Sequence, residues 1–243
     1  MLSKTDLRNA IASKNRGITA TLADQQAIAS IIARVEDLNP TPDPLSATEL
    51  LTGDWRLLYT TSKELLGINN VPIAKLGDIY QCVRPKEARI YNIAEIKGIP
   101  YLEGIISVVA SFTPAETAVE SATTATTSAG NTSQDAQSKD IQKTSQSVSS
   151  GSSTAVAGIV KNRVNVKFNR AIIGLQRILG YHSPAQYIEK LETTTKFNPL
   201  QGIDFAINAE RQQGWLEITY LDEDLRIGRG NQGSLFVLTK DQV

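Results

Sequence analysis

Apolar residues recur along this chain with two periods, and the change from one to the other divides it. From Asp24 to Leu38, Ile28, Ile31, Ile32, Val35 and Leu38 return at the spacing of one helical face, with Gln25, Arg34, Glu36 and Asp37 around the rest. Ser3 to about Asn15 has the same character, with Ser3 and Asp6 placed to cap it and Leu7, Ala10 and Ile11 on one side. Three prolines in the five positions from Pro40 to Pro44 end the second helix, because proline removes a donor and disfavours helical geometry before it.

After a short helical turn at Ser46 to Leu51 the period becomes two. Gly53 to Thr61 alternates Trp55, Leu57 and Tyr59 with Arg56, Leu58 and Thr60. Further strand-like runs are Gly77 to Val83, Ala88 to Ile96, Tyr101 to Phe112, Val164 to Phe168, Ile203 to Ala209, and three more from Trp215 to Thr239. So many short strands with tight connections predict a mainly β, α+β chain: a closed antiparallel barrel over 46–243, on which an N-terminal helical segment, 1–45, packs. From Pro114 to about Ala157 the chain is Ser, Thr, Ala, Gln and Gly without an aromatic residue, too little apolar surface to offset ordering; it reads as a disordered insertion between two strands. Another predicted helix is Pro184 to Leu191.

Charge narrows the function classes. Lys plus Arg and Asp plus Glu are 25 each, so no global field favours nucleic acid. One cysteine and one histidine rule out an intramolecular disulfide and a Cys/His zinc site; Cys82 reads as a small buried residue in a strand. No run approaches the roughly 18 apolar residues of a spanning helix. Met1-Leu-Ser-Lys-Thr-Asp-Leu7 carries neither a secretory nor a transit signal, so the chain is expected to work where it is made or to lack its presequence.

Two motifs suggest chemistry that their context does not support. Gly228-Arg-Gly-Asn-Gln-Gly233 has the letters of a dinucleotide loop, but Ser234-Leu-Phe-Val-Leu-Thr239 follows it as a strand, and no helix N-terminus is available to hold a phosphate. Gly230 to Gly233 reads as a hairpin turn. Asp222-Glu-Asp224 lacks the further oxygen ligands a hard cation needs and reads as a turn in which Asp side chains bond backbone N–H groups. His182 has no nucleophile elbow to serve and falls in the loop leading into a helix. In a closed barrel the first and last strands meet, so Arg226 or Arg229 is placed to lie over Trp55 as a cation–π lid closing one end.

Gly53-x-Trp-Arg-Leu-Leu-Tyr-Thr-Thr-Ser62 and Thr219-Tyr-Leu-Asp-x-Asp-Leu-Arg-Ile-x-Arg-Gly-x-x-Gly-x-x-Phe-Val-Leu238 resemble the plastid lipid-associated protein, or plastid fibrillin (PAP/fibrillin), family. Val166 to Arg177 and Ser183 to Leu191 are similar in kind. The resemblance covers most of the chain outside the Ser/Thr insertion. Its motif positions here are Gly53, Trp55, Asp222, Asp224, Arg226, Arg229 and Gly230; Asn231 stands where many members have an acid. The resemblance implies a lipocalin-like barrel of thylakoids and plastoglobules that handles isoprenoids and other apolar lipids, and the lack of a transit peptide is closer to a cyanobacterial member than to a plant precursor.

The expected function is therefore non-enzymatic: binding a carotenoid, quinone or acyl lipid at the periphery of a thylakoid membrane or lipid globule, without cofactor, metal or nucleic acid. Trp55, Tyr59, Phe168, Trp215 and Tyr220 are the candidate barrel lining or end plug. The alternative is a structural coat with no small ligand, spreading on lipid through Ala171-Ile-Ile-Gly-Leu-Gln-Arg-Ile-Leu179.

Overall fold

Ser3 opens α1 (Lys4–Ala12) with a reciprocal cap: its hydroxyl accepts from the Asp6 N–H and the Asp6 carboxylate accepts from the Ser3 N–H. Thr21 and Asp24 repeat this at the start of α2 (Leu22–Glu36). The proline run then leads through α3 (Thr48–Leu51) into the strands. These are β1 (Gly53–Thr60), β2 (Lys75–Arg84), β3 (Arg89–Lys97), β4 (Gly104–Ala118) and β5 (Ala157–Leu175); then, after α4 (Gln176–Leu179) and α5 (Pro184–Thr193), β6 (Ile203–Ala206), β7 (Gln213–Leu221), β8 (Leu225–Gly230) and β9 (Leu235–Lys240).

The computed structural model describes residues 3–63, 75–98, 100–118, 157–208 and 213–241. The chain divides into two units, residues 1–115 with 160–243 and residues 116–159, and the barrel and its sites belong to the first. The stretch expected as a disordered insertion, Pro114 to about Ala157, is strand at both its ends, in β4 as far as Ala118 and in β5 from Ala157, and the residues between, 119–156, lie outside the described residues.

Strand order is β4-β3-β2-β1-β9-β8-β7-β5-β6, and a further β4–β5 pairing closes eight strands into a barrel with β6 added on the edge of β5. First and last strands meet: Trp55 pairs with Lys240 and Leu57 with Leu238. The interior core contains Trp55, Leu57, Ile79, Ile90, Val166 and Leu238. Outside, α1 and α2 cover one wall, burying Leu7, Ile28 and Ile32 against Tyr59, Ile227 and Val237. On the opposite wall α5 buries Tyr187, Ile188 and Leu191 against Cys82, Ile93 and Ile105. Most strands are thus buried on both faces.

Strict alternation places Trp55, Leu57 and Tyr59 together, and the structure separates them. The β1–β9 register shifts between Leu57 and Tyr59, so Trp55 and Leu57 face the interior while Tyr59 faces the N-terminal helices. A β-bulge inserts one residue, which moves every later side chain to the other face. The same shift between Ile218 and Tyr220 sends Tyr220 outward. Tyr59 and Tyr220 therefore anchor the helical cover and do not line the barrel.

The α1–α2 loop is locked to β1 at one crowded point. Gly17 has φ +109°, and a Cβ there would stand 2.2 Å from the Thr60 carbonyl oxygen. Gly233 also has positive φ, +72°, but open space around it. Gly17→Ala is expected to destabilise by about 3 kcal/mol or more, combining backbone strain with a clash against rigid main chain. Gly233→Ala is expected to lose only about 1–2 kcal/mol, from the left-handed backbone alone. Urea denaturation of both variants measures the difference; equal losses contradict the assignment.

Candidate functional site: a cavity in the barrel

One end of the barrel is shut by stacked cations and an indole. Trp55 is fully buried and donates from Nε1 to the Leu51 carbonyl at 3.0 Å, which holds α3 across that end. The Arg226 guanidinium lies 5.0 Å from the Trp55 ring centroid and Lys240 Nζ 5.3 Å from it. Lys240 also donates to the Leu50 carbonyl at 2.9 Å, so two carbonyls at the end of α3 are satisfied from the barrel. Cation–π contacts of this kind contribute about 0.5–2 kcal/mol each. Of the two arginines placed by sequence near Trp55, Arg226 is the lid. Arg229 points outward and pairs with Glu36 of α2 through Nε at 3.1 Å and Nη2 at 2.6 Å.

Arg226 is 1% exposed and has no carboxylate partner among the described residues. Burial pushes its guanidinium down to about 9. Nη2 donates to Gln81 Oε1, whereas Nη1 is buried without a hydrogen-bond partner among the described residues. Gln81 Nε2 in turn donates to Asn92 Oδ1 at 3.1 Å. Gln81 and Asn92 both face the space above.

That space is a cavity of about 490 Å³. Leu57, Ile79, Ile90, Val108, Val166 and Phe168 form much of its wall, with Leu216, Phe236 and Leu238 opposite. Gly228 and Gly230 take inward positions on β8, two and four residues after Arg226, and Gly230 borders the cavity. A Cβ at Gly230 would stand 3.0 Å from the Phe236 ring. The glycines that imitate a phosphate loop thus leave room in the barrel wall. The expected hairpin is present: β8 and β9 are joined by a 3-10 turn at Asn231–Gly233. Positive φ occurs there only at Gly233, and Asn231 serves instead by accepting from the Trp215 N–H at 2.8 Å.

Of the aromatic candidates, Phe168 lines the cavity and Trp55 forms its floor plug. Trp215 borders the mouth, but its ring lies 4.4 Å beneath Arg163. Arg163 is itself paired with Glu217, on the face opposite Leu216. Gly53 faces Lys240, where a Cβ would stand 2.5 Å from Cε. The polar lining at Gln81 and Asn92 escaped sequence reading, and the alternation Ile79-Tyr-Gln81-Cys-Val83 was the available signal: an amide at an inward strand position.

The mouth lies where β1, β3, β5 and β8 end. The same end carries exposed apolar residues: Ile173 and its strand partner Ile203, Phe205 on the same face of β6, Leu200 before it, and Ile178 on α4. Leu200 is 88% and Ile203 65% exposed. In the run Ala171–Leu179, Leu179 is not part of this surface; it is fully buried beneath α5. His182 is exposed in the loop before α5, and Cys82 is buried with its thiol pushed well up by desolvation. Among the described residues no group of three or more His, Cys, Asp or Glu is placed to hold a metal, and no helix is long and apolar enough to cross a membrane.

The motif aspartates form a clamp at the β7–β8 turn. Asp222 Oδ1 accepts from the N–H groups of Asp224 and Leu225, and Oδ2 accepts from Lys4 Nζ at 2.7 Å and Tyr220 Oη at 2.6 Å. Asp224 takes Lys4 and Arg8. Burial raises the Asp222 carboxyl, but Lys4, Tyr220 and the backbone donors outweigh it, so it titrates well below the usual carboxylate range.

A profile of the PAP_fibrillin family matches residues 1–155 and 124–239. The chain is 26% identical over 262 residues to a protein named probable plastid-lipid-associated protein 2, chloroplastic, of Arabidopsis thaliana, covering 98% of this chain and 70% of that one. It is 26% identical over 250 residues to a chromoplast-specific carotenoid-associated protein of Cucumis sativus, covering 93% and 64%. It is 29% identical over 246 residues to plastoglobulin-1, chloroplastic, of Pisum sativum, covering 98% and 60%. No solved structure matches significantly.

Because the folded Asp222 pKa is depressed, its contribution is complete above the unfolded value near 4 and is lost as pH falls through the folded value. Asp222→Asn is expected to melt below the native chain at about pH 6, with the gap narrowing progressively as pH falls below about 4, where the unfolded carboxyl takes up its proton and the folded one does not. Melting temperatures across that range test it; a gap independent of pH contradicts the clamp.

Proposed function

We propose a function from one premise: the chain belongs to the PAP_fibrillin family. The barrel holds an apolar lipid or isoprenoid, of the carotenoid, quinone or acyl type, and works by binding rather than catalysis. The observation that carries this reading is the cavity of about 490 Å³, walled by aliphatic and aromatic side chains, shut at one end by Arg226 and Trp55. Volumes of roughly 300–1,000 Å³ with few polar groups are typical of small-molecule sites. The names of the Arabidopsis, cucumber and pea relatives, lipid-associated, carotenoid-associated and plastoglobulin, support the same ligand class. The protein acts at the periphery of a thylakoid membrane or lipid globule, on the cytoplasmic side in a cyanobacterial cell, and supports maintenance and stress protection of that membrane.

Val108→Phe narrows the cavity from β4 without touching either outer cover. The native chain is expected to gain about 2.7 kcal/mol of stability at decylplastoquinone concentrations about 100-fold above its Kd, as linkage requires. The variant is expected to bind at least tenfold more weakly. Absence of any thermal shift in the native chain, measured with decylplastoquinone and with β-carotene, contradicts the reading.

A second reading, a coat on lipid surfaces, is favoured by the exposed apolar residues around the mouth, because surfaces of this kind mark interaction sites. Ile178→Asp with Ile203→Asp tests it, both side chains being exposed. Liposome flotation is expected to fall several-fold in this double variant and to be unchanged in Val108→Phe. Flotation unaffected by the double variant removes this surface as the contact.

A further inference from the structure

The lining of the cavity has a direction of hydrogen bonding that is imposed from below. Arg226 has donors only, so the amide that meets it must present oxygen. Gln81 does so with Oε1, which turns its Nε2 away from Arg226 and onto Asn92 Oδ1 at 3.1 Å. Asn92 has then used its oxygen, and its Nδ2 is the remaining group of the relay. Nδ2 has no hydrogen-bond partner among the described residues, and both Gln81 and Asn92 line the cavity. Flipping either amide would set oxygen against oxygen or N–H against N–H, so the buried cation fixes the relay as donor-outward at its cavity end. The register agrees: Trp55, Gln81 and Asn92 lie side by side across β1, β2 and β3, at the closed end of the space.

We propose that the cavity selects ligands carrying a hydrogen-bond acceptor, a carbonyl or carboxylate oxygen, which seats against Asn92 Nδ2 at the closed end with the hydrocarbon part directed to the mouth. This rests on the barrel binding an apolar ligand and narrows that class. A pure hydrocarbon leaves Nδ2 unpaired in an apolar space, a penalty comparable to a lost hydrogen bond. A quinone, ketone or fatty acid satisfies it.

The relay can be inverted without reshaping the cavity. In Gln81→Glu the carboxylate accepts from Arg226 with one oxygen and has only an acceptor to offer Asn92, which must therefore turn its Nδ2 inward and its Oδ1 to the cavity. The test is calorimetric titration with β-ionone, a ketone, and β-ionol, its alcohol, which alone can donate. The ratio of the two dissociation constants is expected to move toward the alcohol by about tenfold in Gln81→Glu, the effect of exchanging one satisfied for one opposed hydrogen bond. Asn92→Asp, in which the carboxylate accepts from Gln81 and presents its second oxygen to the cavity, is expected to move the ratio in the same direction, which covers a folding failure of either variant. If both probes bind the native chain and a folded variant leaves the ratio unchanged, the head-group assignment is overturned while lipid binding stands. If neither probe binds the native chain, the underlying reading falls and this one with it.

Discussion

A guanidinium without a carboxylate partner among the described residues sits inside an apolar barrel, and the architecture around it follows from keeping it there. Removing such a charge from water costs several kcal/mol even after relaxation. Arg226 recovers part of this from the Trp55 ring and part from Gln81, while Lys240 occupies a second position at the same ring. The arrangement needs Trp55 immobile, and α3 supplies that by accepting the indole N–H at Leu51. Closure of one barrel end, the seating of α3 and the polarity of Gln81 and Asn92 are thus consequences of one buried charge. Its uncapped Nη1 marks how little polar company it has.

The walls obey a different constraint. An ordinary barrel alternates apolar-in with polar-out, but here helices cover two opposite outer walls and require apolar residues there too. On β8 the pattern is nearly reversed: Leu225 and Ile227 face the N-terminal helices, while Arg226, Gly228 and Gly230 face in. The side with fewest side chains points into the barrel, which helps leave a cavity inside an otherwise packed core. Bulges in β1 and β7 supply the complementary correction, turning Tyr59 and Tyr220 out of the interior and into the cover.

This explains what could be read from the chain alone. Strand positions, both capped N-terminal helices, the barrel and the meeting of its first and last strands were legible because they depend on local period, proline and turn chemistry. The clamp was legible as a turn, since the backbone bonds of Asp222 are local, but the bonds of Asp222 to Lys4 and of Asp224 to Lys4 and Arg8 span the whole chain and leave no mark in spacing. The outward turn of Tyr59 and Tyr220 leaves no signal in sequence, because a bulge is one inserted residue with no distinctive composition. Leu179 resembled Ile178 in sequence and differs from it only through the α5 packing above it. The role of Gln81 is not legible in sequence, because an inward amide makes sense only with Arg226 beneath it.

With one end shut by charge and two outer walls shut by helices, the unused surface of the barrel is concentrated at the mouth. The exposed apolar residues of β6, α4 and the turn at Leu200 lie at that end. Had they flanked the Arg226 end, a ligand leaving a lipid phase would have to cross water to reach the opening. Their position removes that step, since the surface that can tolerate a lipid phase and the opening to the cavity coincide. Under the proposed function, binding inside and contact outside are successive stages of one route rather than rival uses of the fold. The donor at Asn92 gives that proposed route an end, because an acceptor entering from an apolar phase would meet few polar groups until it reached the closed floor.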